Sequence, residues 1–299
     1  MKFLIIRFSS IGDIVLTTPV LRCLKKQSAN AEIHFLTKKE YSTIVTSNPY
    51  VDKVYLTDGS LTDVLADLKK ENYDFVIDLH RNLRSLKVKL SLRKKSFSFD
   101  KINLEKWLIV NFGINRLPEL HIVDRYFETV KNWNVHNDGE GLDFFIRNED
   151  EINLEQLPAT HQHGYIGIAI GAKHNTKILP LQKLITLCKT IQHPIILLGG
   201  KEDAARGEQI TAAVGITIYN ACGKYNLGQS ASIVKQAAVI ITHDTGLMHI
   251  AAAFKKRIVS IWGNTIPEFG MYPYLPESFQ QGSAIIEINN CNGVPAKKG

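Results

Sequence analysis

The sequence predicts an α/β protein built from two doubly wound parallel sheets. Three observations carry this expectation: short runs of Val, Ile, Leu and Phe without polar alternation, helical stretches between them, and a restart of the alternation after a polar connector. A run that is apolar at every position fits a strand covered on both faces, the situation helices create on either side of a parallel sheet.

In the first half the strands are KFLIIR, AEIHFLT, DKVYL and DFVIDL, followed by a shorter SFSF, each bounded by turn residues. Helices fit between them at residues 14–27, 61–70 and 83–92, and a further helical stretch lies around residues 123–133. The segment HNDGEGLDFFIRNEDEINLEQLPATHQHG is rich in charge, Gly and Asn and has no helical period, so a connector is expected near residues 135–162. The pattern then restarts with YIGIAIG, PIILLGG, AAVIITHD and RIVSIWG as strands, with helices after each of the first three. Residues 1–150 and 151–299 are thus read as two Rossmann-like domains, each presenting its strand-end loops to a shared cleft.

Composition narrows the class. The 299 residues are 44% hydrophobic and 22% charged, a balance suited to two globular cores. No window approaches about 18 consecutive apolar residues. The N-terminus KFLIIRFSSIGD lacks a signal-peptide layout, so a cytoplasmic protein is expected. Cys23, Cys188, Cys222 and Cys291 show no CxxC spacing, which points to neither a zinc site nor a disulfide framework. Residues 80–106 hold nine basic side chains (Arg81, Arg84, Lys87, Lys89, Arg93, Lys94, Lys95, Lys101, Lys106) against Asp100 and Glu105, and nine minus two equals the net charge of +7. Such a field suits an anionic partner or is a solvated helix face.

The strand ends carry the chemistry. In ITHDTGLMHIAAAF, Asp244 or Thr245 caps a helix starting near Gly246, so the N–H groups of Thr245, Gly246 and Leu247 offer a seat for pyrophosphate. His249 lies one turn in; a plain helix cap, or a metal site with His243 and Asp244, are the alternatives. GAKHNTKILP supplies Lys173, Thr176 and Lys177 to phosphate oxygens, and GGKED supplies Glu202 to ribose hydroxyls. Together the three favour a nucleotide-sugar site. The first strand is followed by Ser9, Ser10, Ile11, Gly12 and Asp13 instead of a glycine-rich phosphate loop. Asp13 would repel a pyrophosphate there. It is either a helix cap or a base that accepts a proton from an attacking hydroxyl.

FSSIGDIVLTTPVLRCLKK, DFVIDLHRNLRS, GAKHNTKILP and THDTGLMHIAAA together resemble the ADP-heptose:lipopolysaccharide heptosyltransferases, glycosyltransferase family 9. The resemblance implies a GT-B fold, two Rossmann-like domains with parallel sheets facing a central cleft. It also implies inverting, metal-independent transfer of heptose from ADP-heptose to an inner-core sugar of lipopolysaccharide, without a cofactor. Carried over by residue, it puts the catalytic base on Asp13. Donor contacts fall on Thr176, Lys177, Glu202, Asp244, Thr245, Gly246, Leu247 and His249, and acceptor contacts on Arg81, Arg84, His80, Ser10 and Gly12; His80 is equally a helix-start residue. The implied partners are an ADP-sugar and the acidic lipopolysaccharide core, with peripheral contact at the cytoplasmic face of the inner membrane. Relatives generally continue several tens of residues past IIEI, so NNCNGVPAKKG reads as a short or truncated end. The competing readings are a non-catalytic nucleotide-sugar binder, a transferase of the same fold using another nucleotide sugar, and a nucleic-acid binder resting only on the basic run. The last lacks interleaved aromatics and a reader motif, so no nucleic-acid partner is expected.

Overall fold

The computed structural model describes residues 1–172, 174–263 and 265–287. Lys173, Cys291 and the NNCNGVPAKKG end therefore lie outside the described residues. The first half runs β1 (Lys2–Ile6), α1 (Ile11–Val15), α2 (Thr18–Gln27), β2 (Glu32–Lys38), α3 (Ser42–Thr46), β3 (Lys53–Thr57), α4 (Thr62–Lys70), β4 (Phe75–Asp78), α5 (Leu83–Leu92), β5 (Lys95–Ser98), α6 (Asn103–Phe112) and α7 (Ile122–Phe127). The second half runs β6 (Ile166–Ala169), α8 (Leu181–Thr190), β7 (Ile195–Leu198), α9 (Ala204–Val214), β8 (Ile218–Asn220), α10 (Leu227–Gln236), β9 (Val239–His243), α11 (Gly246–Ala253), β10 (Arg257–Trp262), α12 (Glu277–Gln280) and β11 (Ala284–Glu287).

Every strand pair is parallel. The sheets have the orders β3-β2-β1-β4-β5 and β11-β10-β9-β6-β7-β8. Each order reverses direction once, between β1 and β4 and between β6 and β9. At those switch points the flanking loops diverge and leave a crevice beyond the carboxyl ends of the strands. The continuous apolar runs are explained by burial on both faces. Phe3 and Ile5 of β1 enter a core that continues through Ile14 and Leu21 to Met248, Ile250 and Ile240, while Leu4 and Ile6 pack on the other face with Leu65, Leu68 and Val88.

Several elements differ from expectation for visible reasons. The expected helix at residues 14–27 is broken between α1 and α2. Pro19 has no N–H for the Val15 carbonyl, and the Thr18 hydroxyl donates to that carbonyl at 2.7 Å instead. Helix α6 is an addition; none of its residues is buried, so it carries no one-faced apolar pattern. Strand β8 is only three residues long. Helix α10 is rich in small polar residues, but it opens on a capping box in which Asn226 and Gln229 exchange bonds of 2.8 and 3.1 Å, an N-x-x-Q signature visible in the sequence.

The connector is held by both halves. Arg22 of α2 binds Asp138 at 2.7 Å, Asp143 and the Gly141 carbonyl, whereas Asp150 accepts from Asn226 of α10 at 2.7 Å. The chain crosses back after β10. The Gly270 carbonyl accepts from Ile122 N–H at 2.8 Å, Arg125 donates to the Phe269 carbonyl, and Tyr274 reaches Asn137, so the 267–275 segment braces the two halves through α7.

Candidate active site

The first crevice is organised by a buried cation. Arg7 follows β1 and is 7% exposed. Its guanidinium donates to the carbonyl of Leu79 at the end of β4, to the Tyr126 hydroxyl at 3.1 Å and to the Ser9 carbonyl at 2.8 Å. The remaining nitrogen forms an ion pair with Asp13 Oδ1 at 2.6 Å. Asp13 Oδ2 accepts from the backbone N–H and hydroxyl of Ser10 at 3.0 and 2.8 Å. The carboxylate therefore sits in the first turn of α1, with Ser10 as the N-cap. Burial pushes its pKa up, but the charge of Arg7 and the two Ser10 bonds outweigh burial and hold it below the ordinary carboxylate value.

Across this crevice β4 ends in Asp78, wholly buried, whose oxygens accept from His80 N–H, Arg81 N–H, the Ser85 hydroxyl and the Lys89 ammonium. The turn it holds places His80 against Phe8. Burial and the nearby Arg7 push the His80 pKa down to about 4, so the ring is neutral at pH 7. Arg81 turns aside and binds Asp100 at 2.8 Å and the Phe99 carbonyl at 3.1 Å. Arg84 is exposed in the first turn of α5.

Lys101 and Lys106 of the basic run, and Arg125, which the sequence did not point to, gather at this crevice. Burial pushes the Lys106 ammonium down to about 8, with the Arg125 charge adding to the effect. Lys101 is likewise depressed by burial and by Arg7, and both lysines feel the Asp13 carboxylate. Arg125 is 5% exposed and its Nε has no hydrogen-bond partner among the described residues. These positive groups crowd one another, the condition under which an anion entering the crevice is favoured.

In the second half, Thr245 is the N-cap of α11, and Asp244 does something else. Its Oδ2 accepts from Lys177 at 2.5 Å and from the Thr265 hydroxyl at 3.1 Å. Lys177 follows β6 and Asp244 follows β9, so this ion pair spans the second switch point. Thr176 is exposed beside it. Leu247 is half-buried, its side chain packed against the core. His243, Asp244 and His249 do not converge as metal ligands would, because His243 Nε2 accepts from Leu179 N–H at 3.0 Å while Asp244 engages Lys177. Glu202 is exposed one strand away, at the end of β7, with its carboxylate over Gly200. Its neighbour Asp203 is the buried one, accepting from Gly200 N–H at 2.9 Å.

The two crevices meet directly, because α1 packs on α11 with no side chain on the glycines between them. A methyl added at Gly12 would lie 2.5 Å from His249 Cδ2, and one added at Gly246 would lie 2.7 Å from Ile11 Cγ2. His249 is buried, its Nδ1 has no partner among the described residues, and burial lowers its pKa. We expect Gly12→Ala to cost about 1–3 kcal/mol through this overpacking. Adding His249→Ala should recover most of the lost thermal stability. A double variant no more stable than Gly12→Ala would mean that the contact is not tight.

Chemically, the arrangement offers an ionised carboxylate beside a cation-rich crevice, facing the positive end of a helix with a lysine at its mouth. Comparison with known proteins gives this geometry a context. A model of glycosyltransferase family 9 (heptosyltransferase) matches residues 62–291. Lipopolysaccharide heptosyltransferase 1 of Campylobacter coli is 28% identical over 89% of this chain and 84% of its own. Among solved structures, a family 9 glycosyltransferase from Veillonella parvula superposes with a TM-score of 0.77 at 22% identity, over 96% of this chain and 86% of its own. The ADP-heptose lipopolysaccharide heptosyltransferase II of Escherichia coli gives 0.74 at 20% identity, over 96% and 90%. Two parallel sheets arranged in this way are the GT-B fold expected above.

Proposed function

Because the chain belongs to glycosyltransferase family 9, we propose that this glycosyltransferase moves a heptose from ADP-heptose, with inversion, onto an acidic inner-core sugar of lipopolysaccharide. The observation that carries the reading is the meeting of the two switch points at Gly12 and His249, which sets Asp13 opposite the N-terminus of α11. The family name and the heptosyltransferase titles of its relatives support the choice of sugar and acceptor.

In this reading the diphosphate of the donor lies on the N–H groups of Thr245, Gly246 and Leu247, where the helix dipole favours negative charge. Lys177 and Thr176 add donors, and Glu202 reaches the ribose. Lys177 already neutralises Asp244, so the pair positions an ammonium at the phosphates without leaving Asp244 to repel them. The acceptor enters over the first crevice, its acidic group drawn by Lys101, Lys106 and Arg125, with Arg84 exposed nearby, the neutral His80 ring offering a hydrogen bond, and Arg81 available only by leaving Asp100. Asp13 takes the proton of the attacking hydroxyl while that oxygen bonds to the anomeric carbon and the bond to the diphosphate oxygen breaks on the opposite face. A carboxylate with a lowered pKa is a weak base, which suits a proton transfer that comes late, after the leaving group has begun to depart. Ser10 and Gly12 line the same turn.

Among the described residues no helix is long and apolar enough to cross a membrane. The reading places the enzyme on the cytoplasmic side of the membrane that carries its acceptor. Calorimetric titration with ADP, GDP and UDP is the test. Selective ADP binding is expected, and Lys177→Ala should weaken it about tenfold to a hundredfold, the loss of a charged hydrogen bond. Equal affinity for the three nucleotides would remove ADP-heptose as the donor.

A further inference from the structure

We propose that the outward face of α5 is a docking surface for an anionic lipid bilayer, an inference that rests on the reading of a lipid-borne acceptor. Leu83, Leu86 and Leu90 are 85%, 44% and 67% exposed and share one side of the helix. They stand in an open groove of about 670 Å³ whose other walls include Lys69 of α4, Lys87 and Arg93. The helix sequence LRSLKVKLSL carries no acidic residue, and Arg93, Lys94 and Lys95 continue the exposed basic surface past its end. The opposite side of α5 is accounted for by Ser85, Val88 and Leu92, which are buried, so the leucine ridge is not part of the core.

A row of leucines set among lysines and arginines matches an anionic bilayer surface, since the apolar groups enter the headgroup boundary while the cations remain at lipid phosphates. A second copy of the chain fits poorly: a twofold contact through this groove would bring Lys87 and Arg93 against their own images. Nucleic acid fits poorly too, because leucine offers neither a stacking face nor a hydrogen bond. The position of the helix adds a reason. It starts at Leu83, capped by Asn82 directly after the turn that sets His80 against Phe8, so a surface gripped by Leu83 lies beside the acceptor entrance.

The experiment is cosedimentation of the full chain with vesicles of phosphatidylethanolamine and phosphatidylglycerol, and with vesicles of phosphatidylcholine alone. Binding to the first and little to the second is expected, weakening as salt is raised. The double variant Leu83→Glu, Leu90→Glu, and separately Lys87→Glu, should lower the affinity about tenfold or more. Ile216→Glu, at a residue 87% exposed in the second half, should bind as wild type. Transfer to a water-soluble acceptor should be equal for all four proteins, so absence of turnover would count against the proposed function and leave the binding result intact. Equal binding to neutral and anionic vesicles, or wild-type binding by the leucine variant, would overturn the docking surface. So would a wild-type dimer that the leucine variant dissociates in the absence of vesicle binding.

Discussion

Asp13→Asn is expected to lower the rate of transfer by about 10²–10⁴-fold while leaving ADP affinity within about twofold of wild type. The proposed donor contacts, Lys177, Thr245 and Gly246 among them, lie in the second half, and the substitution keeps the volume that separates Ser10 from Arg7. Asparagine can still accept from Ser10 but leaves one guanidinium nitrogen of Arg7 without its charge partner. Stability must therefore be measured beside rate. A loss of ADP affinity as large as the loss of rate would mean that Asp13 organises the whole crevice and would remove its assignment as the base.

The same pair sets a pH dependence. The folded carboxyl of Asp13 titrates below its unfolded value of about 3.9. Its ionisation consequently favours the folded chain at neutral pH, and that contribution is lost as the pH falls through the folded value. For catalysis the base stays ionised down to acidic pH. Removing the charge in Arg7→Met leaves burial as the dominant influence, so the acid limb of the kcat/KM profile should move to higher pH, a shift that loss of structure alone would not produce.

Much of this was legible in the sequence because it is local. Unbroken apolar runs named the parallel strands, and Asp13 stood out as an acid where a phosphate loop is common. The break before α2 was missed, although Thr18 and Pro19 carry its signal. What was not legible depends on residues far apart in the chain. Arg7 shows in KFLIIRF only as a cation at the end of a buried strand; its partners Leu79 and Tyr126 lie 72 and 119 residues away. The grouping of Lys101, Lys106 and Arg125 joins the segment before α6, α6 itself and α7, and α6 has no fully buried residue and so leaves little periodic trace. The basic run pointed to Arg81, but Asp100 and the Phe99 carbonyl occupy its guanidinium. Glu202 was singled out beside the ribose, and only the fold shows that its neighbour Asp203 is the carboxylate packed under Gly171 and Gly199.

Asp78→Ala should be strongly destabilising, by about 3–5 kcal/mol. The side chain is 0% exposed and accepts four times, at 3.0 Å from His80 N–H, 2.7 Å from Arg81 N–H, 2.8 Å from Ser85 Oγ and 3.0 Å from Lys89 Nζ. Alanine strands two backbone donors inside the sheet edge and leaves Arg81, at φ +50°, with nothing to hold its left-handed turn. Asparagine keeps an acceptor for those donors, and Lys89 can retreat to Ser98 Oγ, already 2.8 Å away, so Asp78→Asn should cost only about 1–3 kcal/mol. At roughly 2–4 °C per kcal/mol for a protein of this size, thermal melts separate the two variants. Because the turn carries His80 to the acceptor side, Asp78→Asn assayed below its midpoint should raise the acceptor KM and spare ADP binding. Melts of both variants within about 0.5 kcal/mol of wild type would show that β4 and α5 are joined by packing alone, and the crevice would then owe its shape to Arg7 instead.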